Sequence, residues 1–278
     1  MINKIVEGNR TNILLSIDDQ EVSRASVLDL QMRIGRIPVR LGGIAGVSTE
    51  REHRGKGYSR QVLNECVTFQ QEAGFDVSAL FGIPDYYPKY GYATSFMESA
   101  GAIKLRYAEK AQGRYETRPM IPEDLTTIRD IYNRMTASRT ATLVRQEDWT
   151  GFRRGSDWKS RFAVEMVVDG STVLGYMLYE QNVWQCELIE VGYTGPEPFS
   201  TMLAFMARDA LEKRLDTIKV IAPPDDLFLT YCRRYGYQLV VDYPAQASGM
   251  ARVANQTSLL NKLEPLFSER LEQTGCDW

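Results

Sequence analysis

Three apolar-rich runs near the start of the chain, Thr11 to Ile17, Val22 to Leu30 and Val39 to Val47, read as successive strands, the last one studded with Gly42, Gly43 and Gly46. The period then changes. From Tyr58 to Ala73 the apolar positions Val62, Leu63, Cys66, Val67 and Phe69 recur at helical spacing, and Gly74 stands where a left-handed C-cap is expected. A further strand is predicted over Val77 to Phe81.

Near Gly113 the pattern restarts. Tyr115 to Pro119 suits a strand, and Pro122-Glu123-Asp124 opens a helix whose apolar face is Leu125, Ile128, Ile131, Tyr132 and Met135, with acidic residues at its positive end. A second helix is predicted over Arg145 to Phe152. Strands follow at Phe162 to Val168, Val173 to Tyr179 and Cys186 to Tyr193, the first two joined by the hairpin signal Asp169-Gly170. A helix from Phe199 to Leu211, a strand from Thr217 to Ile221, a helix from Asp226 to Arg234 and the ending Tyr235-Gly236-Tyr237 complete the order. After Gly249 come a short strand, Met250 to Val253, and an amphipathic helix, Ser258 to Leu271, carrying Pro265. Three segments result: 1–112, 113–249 and 250–278.

The chemistry concentrates between the third strand and the first helix, in His53-Arg54-Gly55-Lys56-Gly57-Tyr58-Ser59. The first N–H groups of a helix lack partners within it and lie at the positive end of its dipole, so a phosphate over Gly55 to Ser59 would satisfy them. The two glycines permit close approach. Arg54 and Lys56 add a planar donor fork and a point charge.

Arg54-Gly55-Lys56-Gly57-Tyr58-Ser59 resembles the Arg/Gln-x-x-Gly-x-Gly/Ala signature of the GNAT N-acetyltransferase superfamily, with Ser59 replacing the usual last Gly or Ala. About thirty residues on, Ala79-Leu80-Phe81-Gly82-Ile83-Pro84-Asp85-Tyr86-Tyr87-Pro88-Lys89-Tyr90-Gly91-Tyr92 resembles the second landmark of that family, a strand, a short helix and Tyr-x-x-x-Gly-Phe/Tyr. The resemblance covers roughly Thr11 to Ser99. Within the superfamily the chain looks most like the enhanced-intracellular-survival group of multi-domain acetyltransferases.

That resemblance implies an α/β (α+β) chain of two tandem GNAT-like modules with mixed, largely antiparallel sheets flanked by helices. The first module, 1–112, lacks its opening strand and two helices. The second, 113–249, is degenerate, and 250–278 is similar to the start of a sterol-carrier-like domain that is itself missing. Acetyl-CoA is implied as co-substrate. By the family pattern, backbone groups of Val47, Ser48 and Thr49 meet the pantetheine arm, Arg54, Gly55, Lys56, Gly57, Tyr58 and Ser59 hold the pyrophosphate, and Tyr87 protonates the departing thiolate. A phenol with an ordinary pKa near ~10 is protonated at neutral pH and suits that role. No general base stands out, and His53 reads as a positioning residue.

The second module carries Glu190-Val191-Gly192-Tyr193-Thr194-Gly195-Pro196-Glu197-Pro198 where the first has its basic turn, and Cys232 where the first has Tyr87. Pro196 and Pro198 cannot donate N–H bonds, and Glu190 and Glu197 would repel phosphate. Trp149, Trp158 and Trp184 with Glu187 and Glu190 form an alternative, separate ligand site, or simply core.

Composition narrows the partners. A net charge of −3 gives no reason to expect nucleic acid or an acidic membrane as partner, and no apolar run approaches the ~18 residues needed to span a bilayer. Cys66, Cys186, Cys232 and Cys276 are scattered and there is a single histidine, which argues for a reducing cytoplasm and no metal. Exposed strand edges suggest a homo-oligomer. Two functions are left open: an acetyl-CoA-dependent N-acetyltransferase acting by direct attack of a primary amine, and a non-catalytic CoA-binding or regulatory scaffold.

Overall fold

A computed structural model describes residues 1–83, 85–152, 161–181, 183–242 and 248–274. In chain order the elements are β1 (Ile2–Glu7), β2 (Arg10–Ile17), β3 (Gln20–Ile34), β4 (Ile37–Thr49), α1 (Tyr58–Glu72), β5 (Val77–Gly82), β6 (Ala93–Phe96), β7 (Glu98–Lys104) and α2 (Leu105–Ala108). There follow β8 (Glu116–Pro119), α3 (Asp124–Met135), β9 (Thr142–Leu143), β10 (Phe162–Asp169), β11 (Thr172–Glu180) and β12 (Glu187–Tyr193). The last are α4 (Phe199–Glu212), β13 (Thr217–Ile221), α5 (Leu227–Cys232), β14 (Gln238–Asp242), β15 (Ser248–Val253) and α6 (Gln256–Thr274). The result is a mixed α/β chain with two mixed sheets flanked by helices.

The contacts divide the chain into two units that differ from the segments 1–112, 113–249 and 250–278. One holds the described residues of 1–97, 137–144 and 243–278, and the other those of 98–136 and 145–242. The reason is an exchange of strands. In the first sheet, ordered β1-β2-β3-β4-β5-β15-β6, the strand between β5 and β6 comes from the end of the chain, with Met250 opposite Leu80 on one side and Thr94 on the other. In the second, ordered β14-β7-β13-β12-β11-β10-β8, the corresponding slot between β13 and β14 is taken by β7, which follows β6 in sequence. The strand of residues 250–278, β15, thus lies inside the first sheet, between β5 and β6. The first unit also has a strand ahead of Thr11, since β1 pairs antiparallel with β2 across a two-residue turn.

Each sheet is buried on both faces. In the first unit Ile13, Val27, Leu80 and Met250 pack with Val62, Leu63 and Cys66 of α1, while alternate residues Val39, Leu41, Val77 and Ala79 pack with Leu259 and Leu263 of α6. In the second unit Val164, Met166 and Leu178 face Ile128 and Ile131 of α3, and Val167, Met177 and Leu188 face Met202, Leu203 and Met206 of α4.

Asp76 fastens α6 to the first unit. Its carboxylate, fully buried, accepts the Arg40 N–H (2.7 Å), the Ser258 hydroxyl (2.6 Å) and the Lys262 ammonium (2.6 Å), and its carbonyl accepts the N–H of Ala254 (2.9 Å). Burial pushes this carboxyl up, but Lys262, Ser258 and the Arg40 amide together outweigh it and hold the group below the usual aspartate range. Its stabilisation is thus present above the unfolded aspartate value of ~3.9 and lost as pH falls through the lower folded value. Asp76→Ala is expected to lower stability by about 2–4 kcal/mol in urea unfolding at pH 7. Asp76→Asn is expected to remove this residue's share of the pH dependence below pH 4, and a wild-type pH profile in the variant would contradict the role.

The helix predicted over Arg145 to Phe152 is absent: these residues run without helical structure. The Asn133 side-chain amide donates to the Arg145 carbonyl (2.7 Å) and its oxygen accepts the Arg145 N–H (3.0 Å), engaging the backbone groups that a helical turn would use. Near 226–234 the α-helix stops at Cys232 and closes in a 3-10 turn, Arg233–Tyr235.

Candidate functional site

β4 and β5 run parallel but pair only from Leu41 opposite Val77 to Gly43 opposite Ala79. Beyond that the strands part. Just past this pairing β4 carries a bulge, where Ser26 faces Ala45 but Arg24 faces Ser48, so two residues of β4 oppose one of β3. Gly46 supplies the left-handed residue at this bulge with φ +60°. Val47, Ser48 and Thr49 thus lie on the stretch of β4 that has left β5. The Ser48 carbonyl accepts the Ser23 hydroxyl (2.9 Å), the Thr49 carbonyl accepts Arg54 Nε (3.2 Å), and the Val47 side chain packs on the core beneath α1.

After β4 the chain makes a 3-10 turn, Arg51–His53, and enters α1 through Gly55 and Gly57 at φ +78° and +81°. Both glycines are needed for backbone sign rather than for space, because a Cβ at either would meet nothing within 4 Å. Gly57 is the N-cap and brings no capping side chain. Among the described residues, none of the N–H groups from Gly55 to Arg60 has an acceptor.

These groups open on a cleft of about 310 Å3 lined by Thr49, His53, Arg54, Gly55, Gly57, Tyr58, Ser59, Arg60, Tyr86 and Lys89. The lining holds three cationic side chains and no carboxylate. Of the residues nominated from sequence, Thr49, Arg54, Gly55, Gly57, Tyr58 and Ser59 line the cleft; Val47, Ser48, Lys56 and Tyr87 do not. The far wall went unread in the sequence. Tyr86 shares a hydrogen bond with Ser59 (2.7 Å between hydroxyl oxygens), and the Lys89 ammonium sits 3.9 Å from the centre of the Tyr86 ring. His53 also lines the cleft, with its Nδ1 buried.

Tyr87 caps the end of β5. Its ring covers the Gly82 backbone so closely that a Cβ there would lie 2.2 Å from Cε2, and it packs edge-on to Tyr86 and Tyr92. Burial raises the pKa of its half-buried phenol, which keeps the proton on oxygen at neutral pH.

In the second unit the start of α4 is closed. The Phe199 ring packs against Tyr193, Phe228 and Tyr231 at 4.7, 5.5 and 5.8 Å, and Pro198 is the N-cap. Cys232 is fully buried. Glu190 does not project at this helix start as an unbalanced charge: Arg145 grips it with two bonds of 2.7 and 2.8 Å, and the Tyr176 hydroxyl donates a third (2.6 Å). Trp149 stacks under the Arg145 guanidinium, whereas Trp184 is 82% exposed and borders a separate hollow with Glu187, which pairs with Lys219. The suggested tryptophan and glutamate site thus falls into two groups with different partners, and Trp158 lies outside the described residues.

Among the described residues no group of three or more His, Cys, Asp or Glu side chains could hold a metal ion, and no helix is long and apolar enough to cross a membrane. Cys66, Cys186 and Cys232 are buried free thiols, and Cys276 is outside the described residues.

Residues 2–95 match the family model described as an acetyltransferase (GNAT) domain. No curated protein matches the chain. Among solved structures, the fold is similar to a conserved protein of unknown function from Enterococcus faecalis V583, described as a probable N-acyltransferase, with a TM-score of 0.75 at 17% identity over 91% of this chain and 64% of that one. It is also similar to a GCN5-related N-acetyltransferase from Kribbella flavida (TM-score 0.68, 18% identity, 88% and 60% covered) and to Eis1 from Mycobacterium abscessus (0.63, 15%, 92% and 67%). The chain spans less than two thirds of the first two. Residues 2–95 thus match the GNAT acetyltransferase domain model, and the chain shares its fold with solved structures of longer proteins described as GNAT N-acetyltransferases.

Proposed function

We propose that the protein is an acetyl-CoA-dependent N-acetyltransferase that moves an acetyl group to a primary amine by direct attack. The observation that carries this reading is the run of unpartnered N–H groups from Gly55 to Arg60, opening on a cleft with cationic side chains and no carboxylate. Such a surface fits a diphosphate: the amides and Arg54 supply donors, and the dipole of α1 favours negative charge there. Lys56 adds charge from outside the cleft wall. Acetyl-CoA supplies an activated thioester.

The residues of this chain supply position and a proton. Backbone groups of Val47, Ser48 and Thr49, on the stretch of β4 that does not pair with β5, are suited to align the pantetheine arm, and alignment of the amine with the carbonyl provides most of the acceleration. Tyr87 holds its proton on Oη at neutral pH and delivers it to the leaving sulfur as the amine nitrogen bonds to carbon. The carbon–sulfur bond breaks as the sulfur takes that proton, and the proton lost by the nitrogen passes through water to restore the Tyr87 phenol.

The test is a thiol-release screen of acetyl-CoA with amines of different classes. An enzyme releases CoA thiol only when an acceptor is present, whereas a scaffold binds the coenzyme and leaves it intact. With an acceptor in hand, Tyr87→Phe is expected to lower kcat by about 10- to 100-fold at saturating acetyl-CoA, with its KM changed less than about twofold. An unchanged kcat removes Tyr87 as the acid.

A further inference from the structure

The cleft carries more positive charge than a diphosphate linker uses. A diphosphate diester brings two negative charges, which the N–H groups from Gly55 to Ser59 and Arg54 already answer. Arg60 and Lys89 also line the cleft, and neither has a carboxylate partner among the described residues. They reach it from different elements: Arg60 from the first turn of α1, Lys89 from the 3-10 turn Pro88–Tyr90 on the far wall.

Lys89 is held in place. Its ammonium lies 3.9 Å from the Tyr86 ring centre and 5.4 Å from that of Tyr90, and Tyr86 is tied to the start of α1 by its hydrogen bond to Ser59 (2.7 Å). A lysine resting on two aromatic faces loses less freedom on meeting an anion than one waving in solvent. The Arg60 guanidinium interacts with the hydroxyl of Tyr90, whose ring also lies under Lys89. A guanidinium fork and a point charge brought to one cleft from two elements suit a compact group with several oxygens and up to two charges, which describes a phosphomonoester better than a carboxylate.

We propose that Arg60 and Lys89 form a subsite for a phosphomonoester on the same ligand whose diphosphate occupies the glycine turn, so that the protein prefers coenzyme A bearing its ribose 3′-phosphate over dephospho-coenzyme A. This rests on the coenzyme reading of the cleft and adds a specificity to it. Tyr86 is the positioning residue that seats Lys89.

Isothermal titration of the full chain with coenzyme A and with dephospho-coenzyme A tests it without reference to activity. The wild type is expected to bind the 3′-phosphorylated form about tenfold tighter. Lys89→Gln and Arg60→Gln should each reduce that preference to roughly threefold, the double variant to within about twofold, and Lys89→Arg should retain it, which separates charge from folding. Equal wild-type affinity for the two ligands overturns the subsite while leaving the coenzyme reading intact. Variants that weaken both ligands equally, with the preference unchanged, also overturn it. Binding of neither ligand removes the coenzyme reading itself and this inference with it.

Discussion

A chain ended at Asp242 is expected to lose the folded first unit altogether. That deletion removes β15, which pairs with β5 through Val253 opposite Val77 to Ser248 opposite Gly82, and with β6 through Ala251 opposite Ala93 to Gly249 opposite Phe96. It also removes Leu259 and Leu263 from the face carrying Val39, Leu41 and Val77, and both side-chain donors that α6 gives to Asp76. Burying a leucine contributes about 1.5–3 kcal/mol, and a domain is stable by only about 5–15 kcal/mol in total. The loss of a central strand and the covering helix exceeds that margin. The expected readout is loss of cooperative unfolding and of coenzyme binding, with restored binding when residues 243–278 are supplied as a separate peptide. A soluble truncated chain that still unfolds cooperatively and binds coenzyme A would show that β15 is dispensable.

The second large effect concerns Gly57→Glu. At φ +81° a residue with a Cβ is strained by about 1–2 kcal/mol, and the new carboxylate enters a cleft that holds the cationic Arg54, Arg60 and Lys89 and no other carboxylate. Coenzyme A affinity is expected to fall at least about 100-fold, with a modest drop in melting temperature, because the open space around Gly57 leaves the core untouched. Gly57→Ala isolates the strain and should cost far less affinity. Equal binding by the wild type and Gly57→Glu would place the diphosphate elsewhere.

The legible parts of the sequence were those in which a segment's own residues decide its state. Tyr58 to Glu72 buries Val62, Leu63 and Cys66 on one face and is punctuated by Gly57 and Gly74, both at positive φ, so its ends match the reading closely. The Asp169-Gly170 hairpin and the strand Thr217–Ile221 followed for the same reason. Sheet membership was not legible. β7 (Glu98–Lys104) and β15 (Ser248–Val253) are both short strands of small and apolar residues, and nothing in either says which slot it fills. β1 escaped notice because its burial pattern is almost wholly exposed, as befits an edge strand. Arg145 misled because its segment is organised by the Asn133 amide and by Glu190, partners far away in sequence. At the site the glycine turn was legible, but the wall of Tyr86 and Lys89 was not. A base two residues after an aromatic pair is an ordinary surface pattern until the fold sets it across from Ser59.

The strand exchange also orders events during synthesis. β5 and β6 leave the ribosome early, yet the segment that must lie between them is made only after all of β7 through β14, so Val77 waits for Val253. The N-terminal unit is therefore the last to close, against the usual vectorial sequence in which leading domains mature first. Until then two strand edges and the apolar face later covered by α6 stand open to solvent, and pairings this distant along the chain make the final closure slow.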